Sequence, residues 1–277
     1  MESKRWTTVF ANTESPLIGM VHLQPLPGSP KWLAGSWDSL AGRAMREAER
    51  LAEAGFDGIM MENFNDVPFY PGRVPVVTVA AMTALAVRVQ DRIRPLPLGI
   101  NVLRNDGESA LAVAAAAGAQ FIRVNVLSGA MVTDQGVIAG IAHTLLRERA
   151  QLGPHIAIVA DVHVKHAVPL GAWELEAAAE DTFHRGLADA LVASGRGTGQ
   201  KTDPGDVARI KRAVPQAPVL VGSGAVAGAL EPFRGLADGF IVGSALKVDG
   251  SARNEIDPIR ARAFVRAWRN GGNQATV

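Results

Sequence analysis

Along the chain, short runs of β-branched and other apolar residues alternate with longer segments rich in Ala, Leu, Arg and Glu, and the alternation repeats eight times. The runs at 17–22, 57–62, 97–102, 120–126, 156–162, 189–194, 218–223 and 238–244 predict strands. Most are nearly continuous in apolar residues, as expected of parallel strands covered on both faces. The segments at 38–54, 76–93, 106–117, 135–152, 173–185, 204–214, 225–233 and 256–269 predict helices between them. Eight strands, each followed by a helix, predict a closed (β/α)₈ TIM barrel behind a short extension at 1–16. Gly55, Gly118, Gly153, Gly186 and Gly235 stand where helices must stop and reverse. A weak internal repeat supports the same unit: GLAD at 186–189 and again at 235–238 each lead into an apolar run that ends in small residues. A doubly wound open sheet would leave two exposed edges, and the strands carry no edge-blunting Lys or Pro.

The 277 residues suit one such barrel, a fold of roughly 250 residues, so a single domain over 1–277 is expected. With 48% hydrophobic and 20% charged residues, the chain can bury a sizeable core and is not a disordered sequence. The net charge of +1 gives no long-range field toward nucleic acid or anionic lipid. The absence of cysteine excludes disulfides, thiolate metal sites and cysteine nucleophiles. Residues 1–13 lack the apolar core of a secretory signal, and the alanine-rich stretch 110–119 is too short to span a bilayer. A cytoplasmic protein without membrane insertion is expected.

Chemistry is concentrated where polar residues interrupt apolar strands, since a buried polar group is costly unless partnered. These are His22, Glu62 with Asn63, Asn101, Arg123 with Asn125, and Asp161 with His163. Each of the last two pairs is spaced by two and so points to one side of its strand. If that side is inward, five successive strands ring one barrel mouth with ionisable or amide groups. His22 and His163 suit proton transfer, with Glu62 or Asp161 as the carboxylate partner. The same four residues could hold a divalent metal, although no compact metal motif is present. Lys165 shares the parity of His163 and is placed with Asn63, Asn101, Arg123 and Asn125 as a substrate-binding group; a Schiff-base role is open to it. His143, His155, His166 and His184 are given no role. Two long connections, 23–37 and 63–75, carry Trp32, Trp37, Phe64, Phe69 and Tyr70 and are expected on the face where barrel active sites form, as lids or subunit contacts.

Small-residue loops follow the sixth, seventh and eighth predicted strands. Ser194, Gly195, Thr198 and Gly199 form the first, Gly222, Ser223 and Gly224 the second, and Gly243 with Ser244 the third. Glycine lets backbone N–H groups approach an anion, and the last two loops of this fold frequently hold a phosphate. Two competing motifs fail. Gly222, Gly224 and Gly228 mimic a dinucleotide fingerprint without its downstream acidic residue, so no nicotinamide or flavin is expected. The segment GRGTGQKT at 195–202 lacks the glycine that precedes the lysine of a Walker loop.

The stretch GMVHLQPLPGSP at 19–30 is the most distinctive in the chain. With ENFNDVPF (62–69), NVLRND (101–106), FIRVNVLSGA (121–130), VTDQG (132–136) and ADVHVKHA (160–167), it closely resembles the BtpA/SgcQ family from about residue 19 to 254. The resemblance implies a phosphate-binding type of TIM barrel. The family takes its name from photosystem I biogenesis in cyanobacteria, while relatives in non-photosynthetic organisms associated with sugar utilisation imply a phosphosugar or nucleoside-derived substrate. It supplies no mechanism.

The expected function is therefore that of an enzyme acting on a small phosphorylated molecule, foremost a phosphosugar, by isomerisation, epimerisation, lyase or aldol chemistry, or glycosidic hydrolysis. The alternative is a non-catalytic biogenesis factor that acts through a protein partner. Self-association into a homo-oligomer is expected on general grounds.

Overall fold

Strand by strand, the apolar runs pair in parallel with their neighbours, and the last closes on the first. The computed structural model describes residues 4–195, 201–222 and 224–271. The strands in chain order are β1 (Leu17–His22), β2 (Gly58–Glu62), β3 (Leu98–Asn101), β4 (Phe121–Val124), β5 (Ala130–Thr133), β6 (Gly136–Ala139), β7 (Ala157–Val162), β8 (Ala167–Pro169), β9 (Ala190–Ala193), β10 (Val219–Val221) and β11 (Gly239–Val242). The barrel order is β1-β2-β3-β4-β7-β9-β10-β11, returning to β1, and β6-β5-β8 form a separate antiparallel sheet. The fold is the expected closed (β/α)₈ barrel.

The helices are α1 (Lys4–Val9), α2 (Trp37–Ala54), α3 (Val76–Ile93), α4 (Gly107–Ala117), α5 (Ala142–Leu152), α6 (Leu175–Glu180), α7 (Pro204–Ala213) and α8 (Pro258–Asn270). Two differ in kind from the sequence expectation. Residues 135–139 start no helix; 136–139 are the strand β6, because Thr133 closes a tight turn. Its Oγ1 accepts from the Gln135 N–H at 3.1 Å and donates to the Gly136 carbonyl at 3.0 Å, while Gly136 takes φ 94°, a conformation costly for residues with a Cβ. The segment 225–233 holds only two 3₁₀ turns, Ala227–Ala229 and Glu231–Phe233, because Gly228 and Pro232 deny it a continuous helical ladder. None of the helices described is long and apolar enough to cross a membrane.

A recurring polar clamp joins the barrel strands in four pairs, β1–β2, β3–β4, β7–β9 and β10–β11, at the base of the barrel. Asp57 accepts from the Leu17 N–H (2.7 Å), Gln120 from Leu98 (2.8 Å), Asp189 from Ile158 (2.8 Å) and Asp238 from Val219 (2.7 Å). Three of these carboxylates also meet a cation from an outer helix: Asp57 meets Arg269, Asp189 meets Arg149 and Asp238 meets Lys211. The GLAD repeat is thus a helix stop followed by this clamp.

Side chains alternate between two buried layers. Leu17, Ile59, Ile100, Ile122, Ile158 and Val221 face the helices. Ile18, Met20, Met60, Phe121, Val159, Val192, Leu220 and Ile241 fill the interior. The N-terminal extension plugs the bottom of this interior: Trp6 lies 4.6 Å from the Phe10 ring and edge-on to Phe121 at 6.1 Å. A six-residue helix has little stability of its own, so this apolar docking is what holds α1 in place.

Candidate functional site

Above the apolar interior, the same inward positions turn polar, and strand register aligns them. His22 of β1 is paired with Glu62 of β2, Glu62 with Asn101 of β3, and Asn101 with Arg123 of β4. The four side chains therefore stand side by side at one level of the barrel. Asn101 donates from Nδ2 to Glu62 Oε2 at 2.6 Å, which fixes that carboxylate while leaving its second oxygen without this contact.

Asp161 is the hub of the far side. Its Oδ1 accepts from Arg123 Nη2 (2.6 Å) and Ser194 Oγ (2.7 Å), and its Oδ2 from Arg123 Nε (2.9 Å) and Asn125 Nδ2 (2.9 Å). Four donors take up both oxygens. Burial opposes the Arg123 charge, but Asp161 outweighs it and raises the guanidinium pKa above its usual range. Asp161 thus orients Arg123, Asn125 and Ser194 and has no oxygen to spare for a metal or a proton relay. The amide of Asn125 must present its NH₂ to the carboxylate, which leaves its buried Oδ1 without a partner.

His22 differs from the expectation of a group titrating near neutrality. Its Nδ1 lies 3.1 Å from the Ala252 carbonyl, an acceptor, so Nδ1 carries the proton and Nε2 presents a lone pair. Burial, then the positive charges of Lys247, Lys165 and Arg123, push its pKa well below the ordinary histidine value. Its ring stacks on Phe64 at 4.4 Å and 19°. Gly243 leaves the room for it, since a Cβ there would come within 2.9 Å of His22 Cε1.

His163 does not join this group. β7 ends at Val162 and His163 takes φ 52°, so the strand parity that predicted an inward ring no longer applies. The ring instead meets Trp173 at 5.7 Å and lines a cavity of about 910 Å³ with Val132, Asp206 and Arg209. Its Nε2 is buried without a partner. Among the described residues, no group of three or more His, Asp or Glu converges on a metal position, and the quartet His22, Glu62, Asp161 and His163 is not brought together.

Of the predicted loops, Gly222, Gly224, Gly243 and Ser244 line one small recess of about 30 Å³, facing His22, Glu62, Arg123 and Lys165. Ser194 and Gly195 border the His163 cavity instead, with the Ser194 hydroxyl spent on Asp161. Thr198, Gly199 and Ser223 lie outside the described residues. Asn63 is occupied in joining loops: its Oδ1 accepts from the Leu103 N–H at 2.7 Å, and its Nδ2 reaches the Leu103 carbonyl and Asp66 at 3.4 Å.

Through Glu62 and Lys165 the recess opens into a mouth of about 750 Å³, a volume typical of small-molecule sites. Phe64 and Phe69 form part of its wall, as does the segment 251–253. Sequence reasoning missed two buried cations, one lining the mouth and one behind His22. Arg104, buried, donates from Nη2 to the Lys165 carbonyl at 2.5 Å, and burial lowers its pKa. Lys247, fully buried, forms an ion pair with Glu47 of α2, which also accepts from Arg43 Nε at 2.9 Å. The signal for Lys247 was weak: a lysine in a loop is ordinarily solvated.

A family model described as the BtpA family matches residues 13–270. The photosystem I biogenesis protein BtpA of Synechocystis sp. is 48% identical, over 94% of this chain and 90% of its own length. An uncharacterised protein of Thermococcus kodakarensis is 51% identical over 90% and 94%. Among solved structures, KGPDC from Streptococcus mutans superposes with a TM-score of 0.60 at 14% identity, covering 93% of this chain and 99% of that one. N-(5'-phosphoribosyl)anthranilate isomerase from Pyrococcus furiosus gives 0.56 at 14% over 92% and 99%. At such identities the structures share the barrel alone, whereas the sequence matches establish that this chain belongs to the BtpA family.

Proposed function

We propose that the protein is an enzyme acting on a small phosphorylated molecule, foremost a phosphosugar, bound in the barrel mouth with its phosphate in the recess. The observation that carries this reading is the pairing across the recess: glycine-rich backbone of Gly222, Gly224, Gly243 and Ser244 on one side, and His22, Glu62 and Lys165 on the other. Backbone N–H groups freed of side chains suit an anion, and the Arg123 guanidinium borders the same recess. Glu62, positioned by Asn101, serves as the proton-transfer group, and His22 accepts a substrate hydroxyl at Nε2. Hydrolysis of a glycosidic bond through two carboxylates fits poorly, because Asp161 is consumed by its four donors. Proton transfer next to a carbonyl, as in isomerisation, epimerisation or lyase chemistry, fits the groups that remain.

Thermal shift tests the reading with inorganic phosphate, dihydroxyacetone phosphate and ribose 5-phosphate beside dihydroxyacetone and ribose. A ligand at 100 times its Kd stabilises the fold by about 2.7 kcal/mol. Stabilisation by the phosphorylated compounds and not by their counterparts is expected; equal shifts, or none from any phosphate, would overturn it.

A partner-binding role is the second reading, favoured by an apolar stripe across the small sheet. Val132 is in register with Val137 and Val168, and the three are 38%, 57% and 60% exposed. If this stripe is the working surface, replacing Val137 and Val168 by Ser abolishes the protein's cellular role while Glu62→Gln does not; the reverse pattern supports the enzyme.

A further inference from the structure

Two lysines lie near the site, and their circumstances are opposite. Lys247 is locked against Glu47. Lys165 makes no hydrogen bond or ion pair through its amine among the described residues, although it lines both the recess and the mouth. Its backbone, by contrast, is held. His163 and His166 take φ of 52° and 58° on either side of it, and Arg104 grips its carbonyl at 2.5 Å. The chain thus returns the amine over the open top of the barrel without giving it a partner. The nearby carboxylates are engaged elsewhere: Asp161 by Arg123, Asn125 and Ser194, and Glu62 by Asn101 through one oxygen. Burial lowers the pKa of the amine, and Arg123 and Arg104 add to that effect against Glu62. An unpaired amine next to cations in a partly desolvated pocket is the arrangement that makes lysine a nucleophile.

We propose that Lys165 forms a covalent imine with the carbonyl carbon of a small aldehyde or ketone bound in the mouth, the recess taking that compound's phosphate. The carbonyl specificity rests on the amine; the phosphate rests on the function proposed above. The Nζ lone pair attacks the carbonyl carbon, forming the C–N bond, while the carbonyl π pair moves to oxygen, which takes the proton that the nitrogen gives up. The resulting carbinolamine loses its C–O bond, and the oxygen leaves with a second proton as water. A protonated imine with one N–H remains. The sequence is redox-neutral and requires no co-reactant. Glu62, on the same wall, is positioned to relay the protons, and the imine then acts as electron sink for breaking a bond to the adjacent carbon.

The first test uses formaldehyde with cyanoborohydride at pH 7 on the full chain, small enough to reach the recess whatever the natural substrate. Peptide mapping follows the methylation of each lysine. Lys165 is expected to react faster than every exposed lysine, because burial and its cationic neighbours favour the free amine, with Lys247 unreactive. A rate at or below that of the exposed lysines overturns the proposal. The second test incubates the protein with dihydroxyacetone phosphate, glyceraldehyde 3-phosphate or ribulose 5-phosphate and then borohydride. An adduct on the Lys165 peptide is expected, with the mass of the carbonyl compound less one oxygen, and absent from Lys165→Met whose melting temperature is retained. Adducts spread over surface lysines and unchanged in Lys165→Met, or none from any of the three, overturn it. Phosphate stabilisation without trapping leaves the phosphate reading standing and removes the imine. Equal trapping of dihydroxyacetone at Lys165, with no shift from phosphate, does the reverse.

Discussion

Arg123 and Asp161, on the adjoining strands β4 and β7, form a two-pronged ion pair at 2.9 and 2.6 Å, both side chains buried. Such a pair gains little over an apolar replacement of the same volume, yet breaking it from one side is expensive. Asp161→Asn is therefore expected to destabilise the fold by about 3–5 kcal/mol, because Arg123 stays charged and uncompensated. The joint change Asp161→Leu with Arg123→Met should cost clearly less than the two single changes added together. Urea midpoints at constant m-value check this.

Stability should also depend on pH through His22. Its folded pKa lies below the unfolded value, so the unfolded chain binds the proton more readily. The stabilising contribution of the neutral ring is complete above the unfolded pKa of about 6.5. It is lost as pH falls from there toward the folded pKa. Urea melts between pH 7.5 and 5 should show a slope that flattens in His22→Asn. An unchanged slope would show that His22 is not the group responsible.

Gly243→Ala should separate folding from ligand binding. The new Cβ comes within 2.9 Å of His22 Cε1 and 3.1 Å of Nε2, so the ring or the Gly243 backbone must shift, and both border the recess. Crowding of this kind costs about 1–3 kcal/mol. The variant should still fold, with the melting-temperature rise on adding phosphate lost; a rise equal to that of the parent protein would place the anion elsewhere.

At the opposite end, Trp6→Ala should do the reverse. It uncovers Phe10 and Phe121 and is expected to cost about 3–5 kcal/mol, while the phosphate-induced increment in melting temperature stays the same. A changed increment would mean that the plug communicates with the mouth.

The barrel was legible because a parallel strand covered on both faces reads as an apolar run, and Glu62, Asn101, Arg123 and Asp161 stood out as interruptions of such runs. Their alignment followed from register, which the common two-residue alternation fixes. His163 was misplaced because parity holds only while the strand lasts, and nothing in ADVHVKHA announces a positive φ immediately after Val162. The hairpin of β5 and β6 was hidden by its shortness: four residues of β6 adjoining α5 read as one helix. The free amine of Lys165 and the buried one of Lys247 are indistinguishable by residue type; only the tertiary position of Glu47 tells them apart. The small-residue loops were visible as glycine clusters, yet their division between two cavities depended on where each loop turns.

The segment 251–253 walls the mouth and holds His22 through the Ala252 carbonyl, but its moorings belong to another part of the chain. Arg43 donates to the Arg253 carbonyl at 2.7 Å, Arg50 to Glu255 and the Ile256 carbonyl at 2.9 Å, and Glu47 neutralises Lys247. A graft of this loop from one relative to another is therefore not modular. Transplanted alone into a barrel whose second helix lacks Glu47, the stretch from Lys247 to Glu255 would carry an unmatched ammonium ion into the interior. In this chain the loop and one face of α2 form a single structural unit.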